Sequence, residues 1–108
     1  MTPEGFVKED VKRILKKYHV YYFMPKGSSY GRQGVADFVC CFHGRYLEVE
    51  TKADKRGRQT AMQKYDEEMV KSAGGIYLLI HGGNLQVLFD CLERIKKDAE
   101  AERNNDSV

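Results

Sequence analysis

Asp37, Glu50 and Lys52 are residue types that act together on phosphates, and they flank a pattern that reads as a β-hairpin. His43-Gly44 predicts a two-residue turn joining a strand over Val35–Phe42 to one over Arg45–Thr51. That turn pairs Phe42 with Arg45 and sets Asp37 opposite Glu50, where Cβ atoms lie about 4.5–5.5 Å apart. Side chains alternate along a strand, so Glu48, Glu50 and Lys52 share the face of Asp37. Phe38, Cys40, Phe42, Leu47 and Val49 then form the core face, and a slip of one residue would drive the charges into that core. Two facing carboxylates repel unless something cationic lies between them. A hard divalent ion such as Mg²⁺ suits them, because it takes oxygen ligands from one or two carboxylates, water and phosphate. With Lys52 beside the ion, the set suits phosphodiester hydrolysis. A solvated hairpin face carrying a cross-strand Glu–Lys pair accounts for the same spacing.

The elements around the hairpin follow from pattern. Thr2 caps a helix over Pro3–Tyr18, whose apolar positions Val7, Val11, Ile14, Leu15 and Tyr18 recur at helical spacing. Val20–Met24 is β-branched and aromatic, a short strand ended by Pro25, and Pro25–Gly34 is a Gly- and Ser-rich loop. Ala53–Arg58 is a charged loop, Gln59–Ala73 a helix stopped by Gly74-Gly75, and Ile76–Ile80 a buried strand. His81–Asn84 reads as a turn and Leu85–Phe89 as another short strand. Asp90 caps a last helix to about Ala101, and Glu102–Val108 is a polar tail expected to fray. The α/β order predicts one domain over residues 1–101, a mixed sheet flanked by helices.

Composition bounds the function classes. The chain has 108 residues, 42% hydrophobic and 31% charged, enough for one modest core. No apolar run has the length of a membrane span, and the first residues lack a signal-peptide pattern. Three cysteines, two of them adjacent, fit neither a disulfide framework nor a zinc site and read as reduced core filler of a cytoplasmic protein. The net charge of +2 says little about partners. Lys52, Lys55, Arg56 and Arg58 could form a phosphate footprint, and an ordinary solvated loop explains them as readily. Lys26, Tyr30 and Arg32, in the loop leading to Asp37, stand equally between gripping DNA and simple exposure. His19, His43 and His81 match no ligand spacing.

Gly34-Val35-Ala36-Asp37, the hairpin, and Glu50-Thr51-Lys52 resemble the signature of the PD-(D/E)XK nuclease superfamily. More narrowly, the chain resembles the stand-alone viral VRR-NUC domains. Shared features are the N-terminal Thr-Pro-Glu-Gly, the Tyr-Tyr-Phe-Met-Pro strand, the Tyr-Gly-Arg-Gln-Gly loop, and Gln63 placed eleven residues before Gly74-Gly75. The similarity spans about residues 2–80. It implies a restriction-endonuclease-like core of α-β-β-β-α-β order, with Asp37, Glu50 and the Thr51 backbone carbonyl as ligands of Mg²⁺, or of Mn²⁺ in its place. It also implies that Lys52 is the catalytic lysine, that Gln63 reaches the centre, and that Glu4 completes the acidic cluster; Glu9 is its rival, and Glu4 is favoured because it shares the inward face of Val7 and Val11. Two departures stand out: Ala36 where Pro is usual, and Glu48 where an apolar residue is usual, which leaves open whether Glu48 touches the metal.

The implied function is a Mg²⁺-dependent DNA endonuclease, acting as a homodimer on branched or four-way-junction DNA in the host cytoplasm. One small domain has little surface for base readout, which favours recognition of DNA shape. The competing class is a non-catalytic DNA- or protein-binding module on the same fold. A decayed site would be expected to have lost Asp37, Glu50 or Lys52, and all three remain. RNA stays open as a substrate, because metal and phosphate do not read the sugar.

Overall fold

The computed structural model describes residues 1–26 and 33–106. The elements run α1 (Pro3–Lys17), β1 (Tyr21–Phe23), β2 (Phe38–Phe42), β3 (Arg45–Thr51), α2 (Ala61–Ser72), β4 (Ile76–Ile80) and α3 (Leu85–Asp106). Tyr30 and Arg32 lie outside the described residues. The strands form one sheet in the order β1-β2-β3-β4, antiparallel for the first two pairings and parallel between β3 and β4. Among the described residues, no helix is long and apolar enough to cross a membrane.

Periodicity places α1 and the hairpin as expected. Thr2 accepts the Gly5 N–H at 3.0 Å, and Val7, Val11, Ile14 and Leu15 are buried. The hairpin register pairs Phe38 with Val49 and Phe42 with Arg45, as the two-residue turn requires. His43 takes φ 50° and Gly44 φ 79°, the left-handed pair such a turn needs. One sheet face, carrying Phe38, Cys40, Phe42, Leu47, Val49 and Ile80, packs on α1 and on Leu88, Leu92 and Ile95 of α3. The other face meets α2 through Val70, Ala36 and Tyr77. Of the cysteines, all free, only Cys40 is buried; Cys41 points from the opposite side of β2 and is exposed, so it fills no core.

Three expectations are corrected. Leu85–Phe89 is the first part of α3, not a strand, and Asp90 lies inside the helix rather than capping it. Leu85, Val87 and Phe89 alternate locally, but the buried residues Leu88, Leu92, Ile95 and Ala99 are spaced for a helix, and the longer pattern prevails. Asn84 makes the bend that starts it: its side chain accepts the His81 N–H at 2.7 Å and donates to the Leu79 carbonyl at 3.0 Å. The helix also continues past Ala101, through Glu102 to Asp106, with Arg45 paired to Glu102 at 2.5 Å. Finally, Val35–Asp37 are not strand. The chain bends at Asp37, and β2 begins at Phe38.

Gly34 explains how that bend is held. Its φ is +82°, and a Cβ there would sit 2.5 Å from the Met62 carbonyl oxygen of α2. Gly34 thus lets the segment before Asp37 lie directly against α2. Gly34→Ala is expected to cost at least ~1–3 kcal/mol from backbone conformation alone, measured by chemical denaturation. An unchanged midpoint would mean that this contact opens at no cost.

Candidate functional site

The site lies at the open end of the hairpin, where β3 runs out toward α2 and the start of α1 comes close. Asp37 sits just before β2, one step past the Phe38–Val49 pair and therefore opposite Glu50. In place of a ladder bond, the Asp37 backbone N–H donates to Glu50 Oε1 at 3.2 Å. Asp37 Oδ2 accepts the Thr51 N–H at 2.9 Å and the Thr51 hydroxyl at 2.5 Å. Hairpin geometry thus brings the two carboxylates together and ties both to the backbone.

Lys52 follows directly after β3. Its ammonium lies 3.1 Å from Glu50 Oε2 and donates to Gln63 Oε1 at 3.2 Å. The aliphatic stem is clamped from the other side: a Cβ on Gly57 would lie 2.7 Å from Lys52 Cβ and 3.0 Å from Cγ. The charged loop after β3 can fold this tightly over the lysine only because residue 57 lacks a side chain.

Gln63 is fixed by the start of α2. Thr60 caps the helix by accepting the Gln63 N–H at 3.1 Å, and Gln63 Oε1 accepts the Thr60 N–H at 2.9 Å. This capping box satisfies two helix-end donors and turns the rest of the Gln63 amide toward β3, where Nε2 donates to Glu50 Oε2 at 2.9 Å. The Thr60-x-x-Gln63 spacing is a cap signal that the expected helix start at Gln59 passed over, and it is what positions the side chain.

Glu4 reaches the site indirectly. Its carboxylate lies 3.4 Å from the Lys8 ammonium, which lies 3.8 Å from Asp37 Oδ1. Glu9 instead pairs with Lys12 at 3.3 Å. Lys8, one turn beyond Glu4, is a residue the sequence reading missed; its position on the polar side of an amphipathic helix resembles any solvated lysine. Lys26, Lys55, Arg56 and Arg58 are exposed, and Arg56 folds back on Asp54 at 3.1 Å.

Glu48 shares the Glu50 face but turns away from the site. It is 1% exposed, accepts the Ala36 N–H at 3.3 Å and the Tyr46 hydroxyl, and hydrogen-bonds Asp66 of α2. Burial and Asp66 push its carboxyl up to about 7. Burial, then the neighbouring charge of Asp37, also raises the Glu50 carboxyl, while Lys52 opposes the rise. Repulsion from Asp37 is therefore felt at Glu50, and Lys52 opposes it.

The donors suit a hard divalent ion: two carboxylates in mutual repulsion, with a cationic side chain alongside. Among the described residues, no three His, Cys, Asp or Glu side chains converge on one point. Two carboxylates would thus carry the protein's side-chain share, and backbone, water and phosphate oxygens the rest.

No protein-family model matches the sequence, and no curated protein matches it. A solved structure described as "VRR_NUC domain" is similar to this chain at 20% identity with a TM-score of 0.65, over 93% of this chain and 97% of that one. At that identity the likeness speaks for architecture: the chain, with its four-stranded mixed sheet and α-β-β-β-α-β-α order, has the fold of a VRR_NUC domain.

Proposed function

We propose that the protein is a Mg²⁺-dependent endonuclease that hydrolyses phosphodiester bonds of branched DNA, four-way junctions included, as a homodimer. The observation that carries this reading is the contact of Asp37, Glu50, Lys52 and Gln63 at one sheet end. A site that only bound DNA would need positive charge and would have no use for two crowded carboxylates. The fold likeness supports the nuclease reading, and the sequence resemblance to viral VRR-NUC domains extends it to action in the host cytoplasm.

On this reading Asp37, Glu50 and the Thr51 carbonyl hold the ion. When bound, the ion polarises a phosphate oxygen and makes water more acidic. Lys52 directs N–H donors at the attacking water and the phosphate, and its position is set by Glu50, Gln63 and Gly57. Gln63 is a positioning residue for Glu50 and Lys52. Lys26, Tyr30, Arg32, Lys55, Arg56 and Arg58 contact the DNA backbone, and a two-fold dimer presents two sites to a two-fold junction.

The direct test is cleavage of linear, flapped and four-way DNA with Mg²⁺, with Mn²⁺ and with chelator. Cleavage is expected with either metal, preferentially on branched DNA, and is expected to stop in chelator. Robust cleavage after thorough metal removal would end this reading. Binding should outlast chemistry: neutralising Lys55, Arg56 and Arg58 together should weaken affinity for every substrate and flatten its salt dependence by about two to three phosphate contacts. If affinity and salt slope are unchanged in fluorescence anisotropy, this loop is not at the DNA.

A further inference from the structure

The two oxygens of Asp37 have different surroundings. Oδ2 is taken by the Thr51 N–H and hydroxyl. Oδ1 faces the Lys8 ammonium at 3.8 Å, and Lys8 lies closer still to Glu4 Oε2, at 3.4 Å. The contact with Glu4 is an ordinary pair one helical turn apart. The contact with Asp37 joins two elements, and helix stability does not require it. Both side chains are mostly shielded, 33% exposed for Lys8 and 24% for Asp37, so the attraction is less screened than on an open surface.

We propose that Lys8 is a built-in counter-ion that stands in for the divalent metal at Asp37 Oδ1 and moves to a DNA phosphate when metal and DNA bind together. This rests on the nuclease reading and adds a regulation to it. With Glu4, Asp37 and Glu50 ionised against Lys8 and Lys52, the cluster carries one net negative charge. A divalent ion arriving alone makes it net positive, with an ammonium group crowding each carboxylate. Phosphates arriving with the ion offset that excess and give Lys8 a new partner. Metal and DNA must then favour each other's binding, and by linkage each does so to the same extent. Free protein holds metal weakly, and the ion is secured when substrate is present.

The test is calorimetric titration of Mg²⁺ into wild type, Lys8→Met and Lys8→Arg without DNA, then with four-way DNA and non-catalytic Ca²⁺. Methionine keeps the stem and removes the charge. Lys8→Met is expected to bind Mg²⁺ about tenfold more tightly than wild type, and Lys8→Arg to behave like wild type. DNA should raise the wild-type metal affinity within the usual coupling range of about 5–150-fold, and Lys8→Met should lose most of that factor. Thermal melts check folding, with Lys8→Gln as the alternative if methionine unfolds the protein. Unchanged or weaker Mg²⁺ affinity in a folded, uncharged variant overturns this inference and leaves the nuclease reading standing. Wild-type metal binding that ignores Asp37→Asn overturns the nuclease reading itself, and the inference with it.

Discussion

Lys52→Ala is expected to slow single-turnover cleavage by ~10²–10⁴, the usual worth of a group that transfers protons or stabilises charge at the reacting centre. Metal affinity at pH 8 should not fall below wild type, because both carboxylates remain and the ammonium beside Glu50 is gone. At lower pH the variant should diverge. Lys52 opposes the upward push that burial and Asp37 give Glu50. Without it Glu50 keeps its proton to higher pH, and a protonated carboxyl competes with metal. Calorimetry at pH 6 and pH 8 should therefore show a larger loss of affinity on acidification for Lys52→Ala than for wild type. Asp37→Asn should fail in the opposite order, losing metal affinity first and regaining part of its rate in excess Mn²⁺. If Lys52→Ala cleaves at the wild-type rate, or binds no metal even at pH 8, the roles given to the two residues are wrong.

The second large effect concerns stability. The Glu48 carboxyl is shifted from 4.5 up to about 7, first by burial and then by Asp66. Between those values the folded protein holds a proton that the unfolded chain has released. This contribution is fully present below about pH 4.5 and is lost as pH rises through 7. Stability therefore falls as pH rises over the range in which only the folded protein holds this proton. The raised Glu50 carboxyl acts in the same direction. The metal-free protein should melt several degrees lower at pH 8 than at pH 5. Glu48→Gln, of similar shape and always neutral, should remove most of that slope. A melting temperature that climbs from pH 5 to pH 8 would show that Glu48 is ionised in the fold throughout.

What could be read in the sequence was whatever local periodicity determines. Alternation in Phe38–Phe42 and Arg45–Thr51 allows one register, and that register brings Asp37 to Glu50. The remainder depends on how helices are turned against the sheet. Lys8 meets Asp37 because of where the first turns of α1 lie, and a helical pattern does not tell one polar position from another. Glu48 meets Asp66 because α2 crosses that face of β3, so an acid that looks like a further metal ligand is instead a buried neighbour of another carboxyl. Leu85–Phe89 was ambiguous because five residues fit either period, and only the longer run to Ala99 decides for a helix.

The hydrogen bonds that begin α2 also reach Glu50 at the end of β3 and Lys52 just after it. Gln63 closes the capping box and, with the same amide, holds Lys52 and Glu50. Helix ends open and close far more often than whole domains unfold, on a free-energy scale close to zero for unprotected termini. Each fraying of this first turn withdraws Gln63 from the lysine and the carboxylate together, leaving Lys52 on Glu50 and Glu50 on the Asp37 N–H. The fraction of time Gln63 braces both residues is then the fraction of time this turn is closed, and hydrogen exchange at the Gln63 backbone N–H would measure it.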